Sequence, residues 1–254
     1  MKEQLSREGY KFYHQRLPWL MLPVLFVLMI ALGIAMGRSY SRLLVMTCYD
    51  SSAIIMLLLV IVGSTSYSTE FQNRTILATL YHAPGRAVVF WAKFLVLLSY
   101  NCLLHLAALV FTVLLNLVPI VNARVAWLQV YQYGQPLVVN MLATTGVDLV
   151  TSGLILSLLC LMSCLINSNS VVIAVNAILV FMGSGFSANL LNAGLTTVVR
   201  WNPFNMLNLT NQYYNYATYH LTTHLTNGQL LGGTLAYLLL FLFLGNWAFA
   251  KKHF

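Results

Sequence analysis

Four polar side chains stand where an apolar chain can least accommodate them. Asn101 and His105 are four apart in one long apolar run, Asp148 lies within another, and Asn176 within a third. A spacing of four puts Asn101 and His105 on one helical face, which must meet protein or water rather than hydrocarbon. A carboxyl at this depth costs about 3 kcal/mol or more and marks a functional candidate. No basic residue lies in the same run as Asp148. It could hold a cationic substrate or a proton, pair with Arg124 or Arg200, or make a structural hydrogen bond. Asn101, His105, Asp148 and Asn176 are therefore candidate linings of a transport path. Interhelical hydrogen bonding accounts for the same residues without transport.

Other chemistries find no support. None of the five lysines follows a glycine, so the Walker A phosphate loop is absent. Cys160 and Cys164 share a helical face and read as small packing residues, as do Cys48 and Cys102. His220 and His224 have a metal-ligand spacing, but position 221 is Leu and no third ligand is close in sequence. Neither a metal site nor a catalytic set can be assembled from five acids, and the chain reads as a non-enzyme.

These residues must be positioned by helices in a bilayer. The chain is 59% hydrophobic and 7% charged, with mean hydropathy +0.78, whereas a soluble domain carries roughly 25% charged residues. The apolar runs are continuous rather than alternating, so helices are expected rather than a barrel. Six runs are long enough: Leu17 to Gly37, about Leu43 to Tyr67, Ala87 to Val118, Leu137 to Ile166, Val171 to about Leu191, and Leu230 to Ala250. Asp50, Ser51 and Ser52 make the start of the second the least apolar. The first is expected to be a retained span rather than a signal peptide. Its Gly33 and Gly37 permit close helix contact. The expected fold is an all-α integral membrane protein, one transmembrane domain over residues 1–254.

Six spans place both termini on one side. That side carries Lys2, Arg7, Lys11, Arg16, Arg74, Arg86, Lys93, Lys251 and Lys252; the other carries Arg38, Arg42, Arg124 and Arg200. The positive-inside rule makes the richer side cytoplasmic. Topology thus explains the net charge of +8 without a nucleic-acid partner. Residues 1–16 read as an interfacial amphipathic helix, with Leu5, Phe12 and Tyr13 on one face and Glu3 and Arg7 spaced for an ion pair. Pro18 fits a first-turn position and Pro23 could kink the span. Residues 191–230 form the largest outward segment, rich in Asn and Tyr. The small, Gly-broken stretch 183–194 before it suggests a re-entrant dip, against the simpler reading of a loop with one interfacial helix.

Much of the scarce charge gathers in one insert, Ser66 to Lys93, which holds Glu70, Arg74, His82, Arg86 and Lys93. Glu70 to Leu80 can form a short helix with Phe71, Ile76, Leu77 and Leu80 as its apolar contacts. Ala83-Pro84-Gly85 ends it.

This order resembles the membrane subunits of type-2 ABC exporters. In that family the loop between the second and third spans carries a Glu, a Thr, then Pro and Arg, then a Lys opening the next helix; here these are Glu70, Thr75, Pro84, Arg86 and Lys93. The outward Asn202-Pro203-Phe204 and the short basic tail agree with it. The resemblance implies that the loop is a coupling helix docking on a separate ATPase, with Glu70, Phe71, Arg74, Thr75, Pro84 and Arg86 at the contact. It implies two ATPase copies carrying ATP and magnesium, a second permease subunit, identical or homologous, and no cofactor on this chain. Export of a drug, antimicrobial peptide or amphipathic molecule across a bacterial plasma membrane is the expected function. The competing expectation is an ATP-independent transporter or channel using Asp148 and His105.

Overall fold

The structure, a computed structural model, describes residues 1–72, 75–81, 83–118, 124–166, 168–194 and 196–252. It is helical throughout, with no strand among the described residues beyond an isolated Val130–Pro136 bridge. The chain runs α1 (Lys2–Tyr13), α2 (Arg16–Met36), α3 (Ser41–Met46), α4 (Ser51–Gln72), α5 (Ile76–Tyr81), α6 (Arg86–Leu117), α7 (Leu137–Leu165), α8 (Asn169–Asn192), α9 (Thr196–Val199), α10 (Leu209–Tyr214), α11 (Tyr216–Thr223) and α12 (Asn227–Lys251). Six of these, α2, α4, α6, α7, α8 and α12, are long and apolar enough to cross a membrane. Their bounds follow the apolar runs closely, because in hydrocarbon only a helix satisfies its own backbone.

The bundle is built around α7. Every residue from Thr151 to Leu161 is buried, as expected of a helix without a polar face. Its serines tolerate this by bonding their own turn: Ser157 donates to Leu154 O and Ser163 to Leu159 O. Neighbours α4, α6, α8 and α12 surround it, while α2, α8 and α12 turn apolar side chains such as Val27, Phe181 and Phe243 outward. Water would not tolerate that exterior, so the chain reads as a multi-pass membrane protein.

Two expectations are revised. The second span does not begin near Leu43: the helix breaks after α3 and restarts at Ser51. Cys48, Tyr49 and Asp50 all have positive φ, 50°, 56° and 54°, a left-handed run costing about 1 kcal/mol or more per residue. Complete burial of Tyr49 and its amide bond to Leu44 O hold it there. The stretch 183–194 does not dip back: α8 runs through it as far as Asn192, and the segment 191–230 is buried instead from Asn205 to Thr210 and at Gln212, Thr223 and Leu225. That segment packs close on α8 at Gly183, where a Cβ would come 2.7 Å from the Phe204 ring. On α1, Leu5 and Tyr13 are half-buried against the core beside Phe12, as expected, and Gln4 and Glu8 extend the buried stripe. Glu3 and Arg7 do pair, at 2.6 Å on the surface.

Candidate functional site

Both ends of the chain meet the start of α6. Arg86 Nη1 donates to Ala250 O and Lys252 O at 2.8 and 2.9 Å, a guanidinium on the carbonyl end of α12. Lys252 Nζ donates to Cys164 O at 2.8 Å and serves the end of α7 in the same way; burial lowers the pKa of this ammonium. One turn or two into α6, Lys93 is 3% exposed and reaches Glu8 Oε2 of α1 at 2.7 Å and Glu70 Oε1 of α4 at 2.8 Å. Lys11 Nζ joins Glu8 at 3.0 Å and Glu70 at 3.7 Å, and donates to Thr79 Oγ1 of α5 at 2.9 Å. Two glutamates and two lysines thus tie α1, α4, α5 and α6 into one neutral cluster. Burial alone would raise the pKa of Glu8; Lys93 and then Lys11 hold it below the usual range. Glu70 Oε2 is buried without a hydrogen-bond partner among the described residues, beside a cavity of ≈ 10 Å³, room for about one water.

The insert is therefore divided differently from the sequence expectation. Glu70 ends α4 and is held internally; the short helix is α5 alone. Ile76 is buried, Leu80 packs on the core, and Leu77 and Tyr81, one turn apart, are 47% and 86% exposed. Thr75 is exposed and contacts Glu70 O; Pro84 is exposed in the bend before α6. Arg74, His82 and the Phe71 side chain lie outside the described residues.

Deep in the bundle, three of the four intramembrane candidates meet. Asp148 lies roughly 16 Å along α7 from Leu137. His105 Nε2 is 3.0 Å from its Oδ2, and Thr210 of α10 donates to its Oδ1 at 3.0 Å. Thr151 Oγ1 lies 2.8 Å from the same threonine hydroxyl. Asp148 thus pairs with His105, not with Arg124 or Arg200. His105 Nδ1 is 2.9 Å from Asn101 O. A carbonyl only accepts, so Nδ1 carries a proton. One further proton then lies between Nε2 and Oδ2. Whether it sits on nitrogen or oxygen, the pair has zero net charge, which is how this depth accommodates it. Asn101 donates to Ser152 Oγ at 2.8 Å, leaving its Oδ1 buried and unbonded. Asn176 belongs elsewhere: it donates to Ser64 Oγ of α4 at 2.8 Å and joins α8 to α4.

A cavity of ≈ 10 Å³ adjoins the pair, lined by Thr47, Ser51, Thr144 and Tyr214 among others, again the size of about one water. The Asp50 carboxyl nearby has a raised pKa, through burial and then through Asp148. Glu8 and Thr210 are the residues sequence reasoning missed. Glu8 drew no notice in the sequence, though its spacing of four from both Gln4 and Phe12 puts the three on one face of α1. Thr210, in a neutral Asn- and Tyr-rich segment, gave none. His220 bonds Leu225 O, and His224 is exposed.

No protein-family model matches this sequence, and no curated protein matches it.

Proposed function

We propose that this chain is the membrane subunit of an ATP-driven exporter, of the kind its Ser66 to Lys93 insert resembles. The observation that carries the reading is α5. It is anchored from beneath by Ile76 and Leu80, bonded to α1 through Lys11 and Thr79, and turns Leu77 and Tyr81 outward. An exposed pair of large side chains on a polar loop offers a surface that a second protein can cover. Under this reading the end bearing the termini is cytoplasmic, and a soluble ATPase covers α5, Thr75 and Pro84. Glu70 and Arg86 serve the coupling from inside: Glu70 binds the insert to α1 and α6, and Arg86 binds α6 to α12. Motion applied at α5 thereby reaches three spans through ion pairs and helix-end contacts rather than through a flexible loop. ATP and magnesium belong to the partner, and a second permease subunit completes the path. Cross-linking in native membranes from benzoylphenylalanine at position 77 tests this: the adduct should contain a Walker A protein.

A second reading, transport without ATP, is favoured by one observation, the neutral His105–Asp148 pair beside a water-sized polar cavity. Under it the pair exchanges a proton or cation, and no ATPase is required.

A further inference from the structure

The end of the bundle opposite the termini holds a second concentration of charge. Arg38 and Arg42 are one turn apart, on the 3-10 turn Arg38–Tyr40 and on α3. Arg124 comes from the connection between α6 and α7. All three are exposed and line one cavity of ≈ 780 Å³, together with Tyr40, Gln129 and Tyr131. Its size falls within the usual range for small-ligand sites, about 300–1,000 Å³.

Four of the five acids are engaged elsewhere. Glu3 pairs with Arg7, Glu8 and Glu70 with the two lysines, and Asp148 with His105. Asp50 makes no ion pair among the described residues. Arg42 and Arg124 therefore have no acidic partner there. Like charges around one concavity repel one another and focus a positive potential into it, so an anion entering it is attracted by all three. A carboxylate has two oxygens and is satisfied by one guanidinium fork. A phosphate spreads its oxygens over a tetrahedron and can accept from several forks at once. Tyrosine hydroxyls and a glutamine amide add neutral donors. Its arginines follow the C-terminal ends of α2 and α6 along the chain.

We propose that this cavity binds a phosphate-bearing anion, with Arg42 and Arg124 as principal ligands and Arg38 as the third. A lipid headgroup and a soluble phosphate ester present the same chemistry. The site does not depend on the exporter reading and would stand if that reading failed.

The test uses the full-length protein in a neutral detergent. Phosphatidylglycerol binding is followed by native mass spectrometry, and glycerol 3-phosphate binding by calorimetry. The double variant Arg42→Gln/Arg124→Gln should weaken at least one of the two by about tenfold or more. Loss of phosphatidylglycerol binding alone identifies a lipid headgroup; loss of glycerol 3-phosphate binding identifies a soluble ester. Arg42→Lys/Arg124→Lys, which keeps charge but not the fork, should fall between. Lys2→Gln/Arg7→Gln, exposed at the other end, should bind as wild type does. Equal binding of both probes by wild type and the Arg→Gln variant would overturn the proposal. So would an equal loss in the Lys2/Arg7 control, which would show attraction by net charge alone.

Discussion

Lys93 Nζ stands 2.7 Å from Glu8 Oε2, and this contact joins a membrane-spanning helix to one that precedes the first span. Both side chains are almost wholly buried. Removing Lys93 leaves Glu8 and Glu70 to share Lys11, one buried charge in excess, at a cost of up to about 3–5 kcal/mol. Lys93→Met should therefore lower the thermal unfolding midpoint of the purified protein markedly, and Lys93→Arg much less. Equal midpoints for wild type and Lys93→Met would refute a structural role for the cluster.

Acid should open the same contact. The pKa of Glu8 is depressed in the folded protein, so its stabilisation is complete above the ordinary glutamate value of 4.5 and is lost as pH falls through the lowered folded value. Nitroxides at exposed Tyr10 and Gln72 should report one narrow distance from pH 8 to pH 5, and a broad one only once pH has fallen below the ordinary glutamate value and through the lowered folded one. Glu8→Gln should broaden it already at neutral pH. A distance distribution independent of pH in both proteins would count against the assignment.

The ends of α12 and α7 rest on cationic caps. Arg86→Ala removes two charge-assisted bonds to Ala250 O and Lys252 O and should cost about 1.5–3 kcal/mol. Amide exchange over residues 246–251 should accelerate while that of α7 stays slow; unchanged protection there would show that the cap is dispensable.

At the His105–Asp148 pair, shape and charge can be separated. Asp148→Asn keeps partners for His105 and Thr210, and should unfold within about 1 kcal/mol of wild type. Asp148→Leu strands His105 Nε2, while Thr210 keeps Thr151, and should cost about 1–3 kcal/mol for the group left unbonded. If the pair takes part in transport, Asp148→Asn should abolish transport while retaining stability. Full transport by this variant would leave the carboxyl a structural role only.

The spans were legible because each is an unbroken apolar run, and hydrocarbon allows such a run one conformation. The break at Cys48 to Asp50 was not, since it is imposed by the burial of Tyr49 rather than by glycine or proline. Asn101 and His105 could be placed on one face from their spacing, and Asp148 suspected from its depth. That they meet each other while Asn176 meets Ser64 depends on how α4, α6, α7 and α8 rotate about their axes, and apolar sequence on every side leaves that rotation unspecified. Glu70 drew notice as a charge in a loop. Its capture by Lys93 and Lys11 required α1 to lie across α6, a placement that the face assigned to Leu5 and Tyr13 did not disclose.

Affinity purification of the intact protein from native membranes tests the central claim most directly. The proposed function predicts that a soluble nucleotide-binding protein with a Walker A motif accompanies the wild type. It should be lost from Leu77→Glu/Tyr81→Glu, a variant that still inserts and unfolds at the wild-type midpoint. Absence of any such protein from the wild-type preparation, together with undiminished transport by the double variant, would contradict it.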